Sequence, residues 1–308
     1  MQTSNIKSAF LDAILNGRPN TETAWLEYFE RFHADFPTAN DLFTLLTTLD
    51  RQTSYGLLAS AAAKAGGDAI LEIACGDGNL IDDLLAACAP SARVCATDIC
   101  GTEIAIAQRR FEGEPRISFA GADARALPYG DESFDLVLSH QFFNFMPDLG
   151  PVLREAARVL KPSGTLLFAV NRGWKADRNS NWVRLYIAAR DALRERYPQY
   201  YEHAIVEDPR IYSADGITEI LMQSALFDMR TLSIESATPR ALMAPDRIAA
   251  IYNRMYVFGS VSEKADILDA VLRRAVGLSQ DGEVEIEIPF RIVAIKRPRR
   301  HPNLRIVK

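Results

Sequence analysis

Residues 71–80 read LEIACGDGNL and join a short apolar run to the start of a helical pattern. The apolar run, AILEIA at residues 69–74, lies between glycines, which is typical of a buried parallel strand. Gly76 and Gly78 let the backbone approach a ligand closely, and the helix that follows offers free backbone N–H groups. This stretch therefore predicts a strand, a glycine turn and a helix N-terminus that face a ligand.

Strands and helices alternate from this stretch to Asn171. Short apolar runs predict further strands at residues 92–97, 116–120, 134–139 and 165–170. Helical patterns predict the intervening helices at residues 79–87, 102–111 and 149–160. Such βαβ alternation indicates an α/β fold, in which a doubly wound, mostly parallel sheet is covered by helices on both faces.

The segments outside this alternation carry mainly helical patterns. We expect an N-terminal helical lid at residues 1–66, in which residues 41–65 form a second helix that ends at the glycines that follow. The remaining predicted segments are a Rossmann-like core at 67–171, a helical insertion that serves as a substrate lid at 172–212, the rest of the core at 213–297 with a helical insertion at 240–277, and a basic tail at 298–308.

The last apolar stretch predicts one strand from Glu283 to Lys296. Its first part, EVEIEI, alternates with a period of two, so one face of the strand is expected to be polar or wet. This pattern fits an antiparallel strand at the edge of an otherwise parallel sheet.

Composition and charge exclude several classes of protein. The 308 residues are 48% hydrophobic and 24% charged, which excludes wholesale disorder. The longest nearly apolar stretch, residues 57–63, is too short to span a bilayer, and the first residues lack the apolar run of a signal peptide, so we expect a cytoplasmic protein without a membrane partner. The net charge of −5 predicts no nucleic-acid partner, and the four cysteines lack the paired spacing of a metal site, so no metal is expected.

Acidic residues accompany three successive predicted strands: Glu72, Asp98 and Asp123. A carboxylate at Asp98, about twenty residues after the glycines, can accept both hydroxyls of a ribose. Open α/β sheets bind ligands at the carboxyl ends of their strands, so the three acids indicate a nucleotide-type site. The third glycine of a dinucleotide-binding turn is replaced by Ile81, and no phosphate-binding P-loop is present.

Five features resemble the class I S-adenosylmethionine-dependent methyltransferases of the small-molecule type. They are E-x-A-C-G-D-G at 72–78, Asp98, D-A-x-x-L-P-Y at 123–129, S-F-D-L-V at 133–137 and L-x-E-A-A-R-V-L-K-P-S-G-T-L at 153–166. The resemblance covers roughly residues 69–170 and implies a seven-stranded Rossmann-like sheet with an antiparallel last strand. Ala74 and Ser163 stand where the family more often has glycine.

The resemblance implies S-adenosylmethionine as the cofactor, bound by the core. The residues expected to contact it are Tyr55, Glu72, Gly76, Gly78, Asp98, Ile99, Asp123, Ala124 and Ser139. Among them, Glu72 is expected to place the amino group and Asp98 to hold the ribose diol. Ile99 is expected to pack on the adenine. Tyr55 is assigned as an aromatic wall beside the sulfonium, where cation–π attraction is favourable, and plain core packing is the alternative reading of its ring.

The predicted catalytic residues are His140, Asn144 and Tyr186. His140 and Asn144 lie in LSHQFFNFMPD (138–148), at the end of a predicted strand. His140 is interpreted as a general base or as a hydrogen-bonding contact, and Asn144 as a group that orients an amine or caps a turn. Tyr186 is interpreted as a second wall residue, with a core position as the alternative.

These features predict a methyltransferase that acts on a small metabolite, as a monomer or a homodimer. A lid of helices favours small acceptors, because an enclosed pocket shuts out macromolecules. One alternative keeps the fold and cyclises S-adenosylmethionine itself to azetidine-2-carboxylate and methylthioadenosine. The other alternative is a binding protein without catalytic activity.

Overall fold

A seven-stranded sheet forms the centre of the molecule in a computed structural model, which describes residues 41–146, 148–172, 180–198, 208–248 and 261–299. Its strands are β1 (Ala69–Ile73), β2 (Arg93–Asp98), β3 (Ile117–Gly121), β4 (Phe134–His140), β5 (Leu160–Asn171), β6 (Asp228–Ala237) and β9 (Phe290–Lys296). The strand order is β3-β2-β1-β4-β5-β9-β6. Strands β1 to β5 pair in parallel, and β9 is antiparallel to both of its neighbours, which confirms the predicted fold class.

Helices flank the sheet and follow from the local sequence. They are α1 (Asp41–Leu45), α2 (Ser54–Ala65), α3 (Asn79–Ala87), α4 (Gly101–Arg110), α5 (Gly150–Val159), α6 (Asn181–Arg196), α7 (Ala214–Ser224) and α8 (Val261–Leu278). Two short 3₁₀ helices lie at Phe142–Phe145 and Pro209–Tyr212. Among the described helices, none is both long and apolar enough to cross a membrane.

Alternation along the strands divides the core into two layers. On β4, Val137 packs in the cluster with α5 and α7, whereas Leu136 and Leu138 pack on the opposite face with α2 and α3. All three side chains are fully buried. Because successive side chains point to opposite faces, a run of apolar residues is required in a strand that is covered on both sides.

The predicted strand 283–296 is wrong as a single element. Its first half is β8 (Val284–Glu287), which pairs with β7 (Arg240–Met243) in a separate two-stranded sheet. Its second half is β9, and β9 lies inside the large sheet, so the edge strand is β6. Pro289 separates the halves, since proline has no N–H to donate to a continuing ladder.

The predicted helix 41–65 is also interrupted. Helices α1 and α2 are separated by residues 46–53, where Thr47 pairs with Arg240, the first residue of β7, and Arg51 adopts a positive φ of 62°. A new helix therefore begins after Thr53, whose side chain accepts a hydrogen bond from the N–H of Gly56 (3.0 Å).

A smaller hydrophobic cluster joins α6, α8 and the β7–β8 pair. Its buried members include Leu185, Val271 and Ile286. Strand β7 lies within the predicted helical insertion 240–277, so that segment begins with a strand and not with a helix. Residues 1–40 of the predicted lid, residues 249–260 and residues 300–308 of the tail lie outside the described part of the chain.

Candidate active site

The loop between β1 and α3 turns sharply at the carboxyl edge of the sheet. Three of its residues have a positive φ: Ala74 (56°), Gly76 (54°) and Gly78 (85°). At Gly78, a Cβ atom would lie 2.8 Å from the Phe111 ring, so the close approach of the loop to α4 requires glycine there. The loop thereby brings backbone N–H groups and the start of α3 to the edge at which ligands bind.

Asp98 fastens this loop to the end of β2. Its Oδ2 accepts a hydrogen bond from the N–H of Gly76, and its Oδ1 accepts one from the N–H of Cys100, both at 2.8 Å. Burial raises the pKa of Asp98, although these N–H groups act in the opposite direction. The structure therefore brings two predicted cofactor residues, Gly76 and Asp98, into direct contact.

Glu72 is an enclosed carboxyl group on β1. Its side chain is 1% exposed, and its Oε2 has no hydrogen-bond partner among the described residues. Burial, followed by the charges of Asp98 and Asp77, raises its pKa well above the usual value. An enclosed carboxyl group with a vacant acceptor oxygen is suited to a cationic ligand, because that ligand would supply both the charge and the hydrogen bond.

Glu103 is a fourth acid at this site, and it is not among the residues predicted from the sequence. It is 1% exposed in the first turn of α4. Burial, with the charges of Asp77 and Asp98, raises its pKa to about 8. The signal in the sequence was a glutamate one turn before Ala107, on the face of α4 that is otherwise apolar.

Asp123 lies after β3 and is held by a neighbour. The Arg125 guanidinium binds its carboxylate, with an Nη2–Oδ2 distance of 2.5 Å, and the N–H of Arg125 donates to its Oδ1 (2.8 Å). Ala124 is buried beside it, and Ile99 is half-buried at the end of β2. The assignment of Asp123, Ala124 and Ile99 to cofactor contact stays a prediction.

His140 is the last residue of β4, and its side chain lies among aromatic rings. Its ring centroid lies 4.2 Å from that of Tyr55 and 5.0 Å from that of Phe43. Its Nε2 and the Ser54 hydroxyl form a hydrogen bond at 2.8 Å. Burial lowers the pKa of His140 to about 3, so its imidazole is neutral at physiological pH. The structure thus joins the predicted residues His140 and Tyr55.

Two side-chain amides follow His140 and leave donors unused. Gln141 and Asn144 are 6% and 4% exposed, and their side-chain oxygens both accept from the N–H of Asn171 at 3.1 Å. Their amide nitrogens have no hydrogen-bond partner in the described part of the protein. The hydroxyl of the fully buried Ser139 is likewise without one.

Tyr186 has a different environment from the other predicted catalytic residues. It packs against the smaller cluster around α6 and α8, where the Arg190 guanidinium lies 5.7 Å from the centre of its ring. Phe43, which contacts His140, packs against this cluster too. The role assigned to Tyr186 therefore stays a prediction. No group of three or more potential metal ligands occurs among the described residues.

Comparisons with known proteins give a consistent result. Residues 71–168 match the family described as Methyltransferase domain. The chain is similar to 27-O-demethylrifamycin SV methyltransferase of Amycolatopsis mediterranei, with 36% identity over 120 residues, 35% of this chain and 40% of that protein. It is also similar to demethylmenaquinone methyltransferase of Lactobacillus johnsonii, with 36% identity over 141 residues, 45% of this chain and 57% of that protein.

The similarity to one solved structure extends beyond the matched residues 71–168. That structure is phosphoethanolamine N-methyltransferase 2 of Haemonchus contortus in complex with phosphomonomethylethanolamine and S-adenosylhomocysteine. The TM-score is 0.53 at 15% identity, over 89% of this chain and 60% of that one. The chain spans about half the length of the two curated relatives, so the similarity in sequence belongs to the core.

Proposed function

The chain belongs to the class I S-adenosylmethionine-dependent methyltransferase family, whose cofactor is S-adenosylmethionine, and we propose that it methylates a small-molecule acceptor. The observation that carries this proposal is the enclosed carboxyl group of Glu72, with its vacant Oε2, beside the glycine loop and Asp98. A ligand that carries an ammonium group, a sulfonium group and a ribose matches this set of acceptors.

The residues present fit that cofactor. Four carboxyl groups lie at one edge of the sheet: those of Glu72, Asp77, Asp98 and Glu103. Burial and neighbouring acids raise the pKa of three of them, Glu72, Asp98 and Glu103. A cationic ligand relieves the repulsion among these groups. When bound, the cofactor supplies an electrophilic methyl group on a positively charged sulfur.

The residues at the site have distinct roles in this proposal. Glu72 accepts from the ammonium group, and Asp98 accepts from the ribose hydroxyls while it holds the loop through Gly76. The turn at Gly78 brings the start of α3 towards the ligand. Tyr55 and Phe43 pack against His140 and would exclude water from this side of the bound cofactor.

His140 acts as a positioning residue in this proposal and not as a general base. A base works best when its pKa lies near the working pH, and the pKa of His140 is about 3. The hydrogen bond to Ser54 instead holds the ring in one orientation between Tyr55 and the end of β4. The acceptor is therefore expected to bring its own nucleophile, or to lose its proton to water or to another group.

The choice of a small molecule is supported by the relatives and by the arrangement of elements. The two curated relatives are named for 27-O-demethylrifamycin SV and for demethylmenaquinone. Helices α1, α6 and α8 lie with the β7–β8 pair in one cluster, which includes Phe43 at the site. Because this cluster reaches the site through Phe43, its helices are expected to restrict the size of an acceptor.

Mass spectrometry of the products tests the proposal. Full-length protein is incubated with S-adenosylmethionine carrying a deuterated methyl group, with and without a small-molecule extract of cells. We expect S-adenosylhomocysteine and a labelled product only when the extract is present. Methylthioadenosine formed without extract would instead identify the cyclising alternative. Cofactor binding without any product would identify a binding protein.

A further inference from the structure

Arg172 and Arg291 lie at the carboxyl edge of the sheet, where the end of β5 pairs with the start of β9. Val170 of β5 pairs with Arg291 of β9, and Arg172 follows the last residue of β5, where its N–H donates to the carbonyl of Pro289 (2.9 Å). Residues opposite one another share a face of the sheet, and so do residues two apart on a strand. Arg172 and Arg291 are therefore diagonal neighbours on one face, within reach of long side chains.

Neither arginine is neutralised by a carboxylate of the described residues. Arg291 is 8% exposed, and its Nη1 donates to the carbonyl of Tyr212 (2.9 Å). The Nε of Arg172 is buried and has no hydrogen-bond partner in the described ranges. Glu287, the acid closest to Arg291 in sequence, accepts from the N–H of Asn181 (3.1 Å). Burial, and then the charge of Arg172, lowers the pKa of Arg291.

Further unused donors lie at the same end of β5. Asn171, the residue before Arg172, binds the side-chain oxygens of Gln141 and Asn144. The buried amide nitrogens of these two side chains are left without partners among the described residues. Phe143 lies in the 3₁₀ helix Phe142–Phe145 and stacks on Phe168, with ring centroids 4.4 Å apart. This helix therefore covers the face of the sheet that carries the arginines.

The buried Nε of Arg172 and the two amide nitrogens lack an acceptor in the described part of the chain, which is unfavourable unless a ligand supplies one. A buried charge needs a partner, and a buried N–H without a hydrogen bond loses its hydration without compensation. Guanidinium groups match the geometry of carboxylates and phosphates. The carboxyl groups assigned to the cofactor lie at β1, β2 and the start of α4, and β4 separates them from the arginines. An anion that satisfied these donors would therefore lie apart from the carboxyl groups assigned to the cofactor.

We propose that Arg172 and Arg291, with the amides of Gln141 and Asn144, bind an oxyanion of the acceptor, so that the acceptor is an anionic small molecule. This inference rests on the proposed function and names its substrate class. A carboxylate and a phosphate ester satisfy the same donors. Aromatic probes that carry one group or the other distinguish these two sources.

Binding of matched aromatic probes tests the site in full-length protein saturated with S-adenosylhomocysteine. The probes are benzoate, phenyl phosphate and the uncharged benzamide, titrated by ligand-observed NMR. We expect saturable binding of at least one anion and binding of benzamide that is weaker by about tenfold or more. The preferred anion identifies the acceptor group as a carboxylate or a phosphate. Equal binding of benzamide and both anions would overturn the proposal.

Variants assign that binding to the two arginines. Arg291→Gln and Arg172→Gln are expected to weaken anion binding by about tenfold or more and to leave the affinity for S-adenosylhomocysteine within about twofold. Arg172 is half-buried, so its variant provides the test if the Arg291 variant does not fold. Arg109→Gln, on the exposed end of α4, is the control and keeps anion binding. Unchanged anion binding in both site variants contradicts the proposal.

Transfer of the labelled methyl group separates this inference from the proposed function. A small-molecule extract is divided on an anion-exchange resin, and each fraction is offered with labelled S-adenosylmethionine. A labelled product from the anionic fraction, reduced in Arg172→Gln, supports the inference. A product from the neutral or cationic fraction alone overturns it and leaves the proposed function intact. No product from any fraction overturns the proposed function, and the probe titration still decides whether the anion site exists.

Discussion

The hydroxyl of Ser54 and Nε2 of His140 lie 2.8 Å apart, and this hydrogen bond fastens the first turn of α2 to the end of β4. Ser54 is 3% exposed, and His140 is flanked by Tyr55 and Phe43. The bond thus joins the segment before the core to the strand end that the proposed reaction uses. Loss of the hydroxyl affects both stability and the orientation of the ring.

Ser54→Ala is expected to lower the free energy of unfolding by about 1–3 kcal/mol, because it leaves a buried imidazole nitrogen without its partner. Urea denaturation measures this change. Ser60→Ala, in the same helix but only half-buried, is the control and is expected to change stability by less than about 0.5 kcal/mol. Equal effects of the two substitutions would show that the hydrogen bond contributes nothing specific.

Glu72→Gln is expected to separate binding from stability. Burial raises the pKa of Glu72 and so favours its neutral form, and a neutral amide in its place is therefore expected to change the free energy of unfolding by less than about 1 kcal/mol. The amide cannot provide the negative charge that an ammonium group requires, so S-adenosylhomocysteine binds about tenfold or more weakly. Isothermal titration calorimetry measures the affinity.

The matched control for Glu72→Gln is Asp82→Asn, which changes an exposed acid in the first turn of α3. It is expected to leave the affinity for S-adenosylhomocysteine within about twofold. If Glu72→Gln also left that affinity unchanged, Glu72 would not contact the cofactor, and the main support for the proposed function would be lost.

Gly78→Ala and Gly113→Ala form a pair that isolates one steric contact. Both glycines have a φ of 85°, but a Cβ atom would meet the Phe111 ring at 2.8 Å only at Gly78, and it would meet nothing within 4 Å at Gly113. Gly113→Ala is expected to cost about 1–2 kcal/mol from its backbone conformation alone. Gly78→Ala adds about 1–3 kcal/mol from the forced contact and weakens cofactor binding.

Thermal and urea denaturation of the Gly78 and Gly113 variants provide the comparison, and calorimetry provides the affinities. Only the Gly78 variant is expected to lose affinity for S-adenosylhomocysteine, since Gly113 lies in a turn after α4 where an added Cβ atom meets no other atom within 4 Å. Equal losses of stability in the two variants would mean that the loop moves away from Phe111 without cost.

The raised pKa of Glu103 predicts that the stability of the protein depends on pH. This pKa is about 8 in the folded protein and 4.5 in the unfolded chain, so the folded state retains a proton that the unfolded state has lost between these values. Stability contributed by this proton is complete below pH 4.5 and is lost as the pH rises towards 8. Glu103→Gln is therefore expected to gain stability relative to the original protein as the pH rises from 5.5 to 8.5 (about three units).

Unfolding by urea at three pH values across that window measures the Glu103 effect. Glu72 and Asp98 also have a raised pKa and contribute a slope of the same sign, so the informative quantity is the difference between variant and original protein. A difference that stays constant with pH would show that Glu103 is not responsible.

The parallel core was predictable because its signals are local. The run AILEIA encodes a strand that is buried on both faces, and Gly76 and Gly78 mark the turn that follows. The positions of Asp98 at the end of β2 and of Asp123 after β3 follow from the same alternation. These features depend on neighbours in sequence, and the structure places β1 to β5 within a few residues of the predicted bounds.

The course of the last strand was not predictable from its pattern. EVEIEI has the alternation of an antiparallel edge strand, and β8 does pair antiparallel, but with β7 in the small sheet. The following strand, β9, inserts between β5 and β6. A period of two specifies a strand and its two faces, but it does not specify which distant segment becomes the partner.

The sequence by itself determined the α/β core, the glycine loop and the acids at the strand ends, because backbone propensity and hydrophobic period act over a few residues. Only the tertiary structure decided the environment of each functional group. Ser54 reaches His140 across 86 residues, and the pairing of β5 with β9 makes Arg172 and Arg291 diagonal neighbours on one face of the sheet. Burial and neighbouring charge set a pKa and a vacant hydrogen bond, and both depend on segments far apart in the chain.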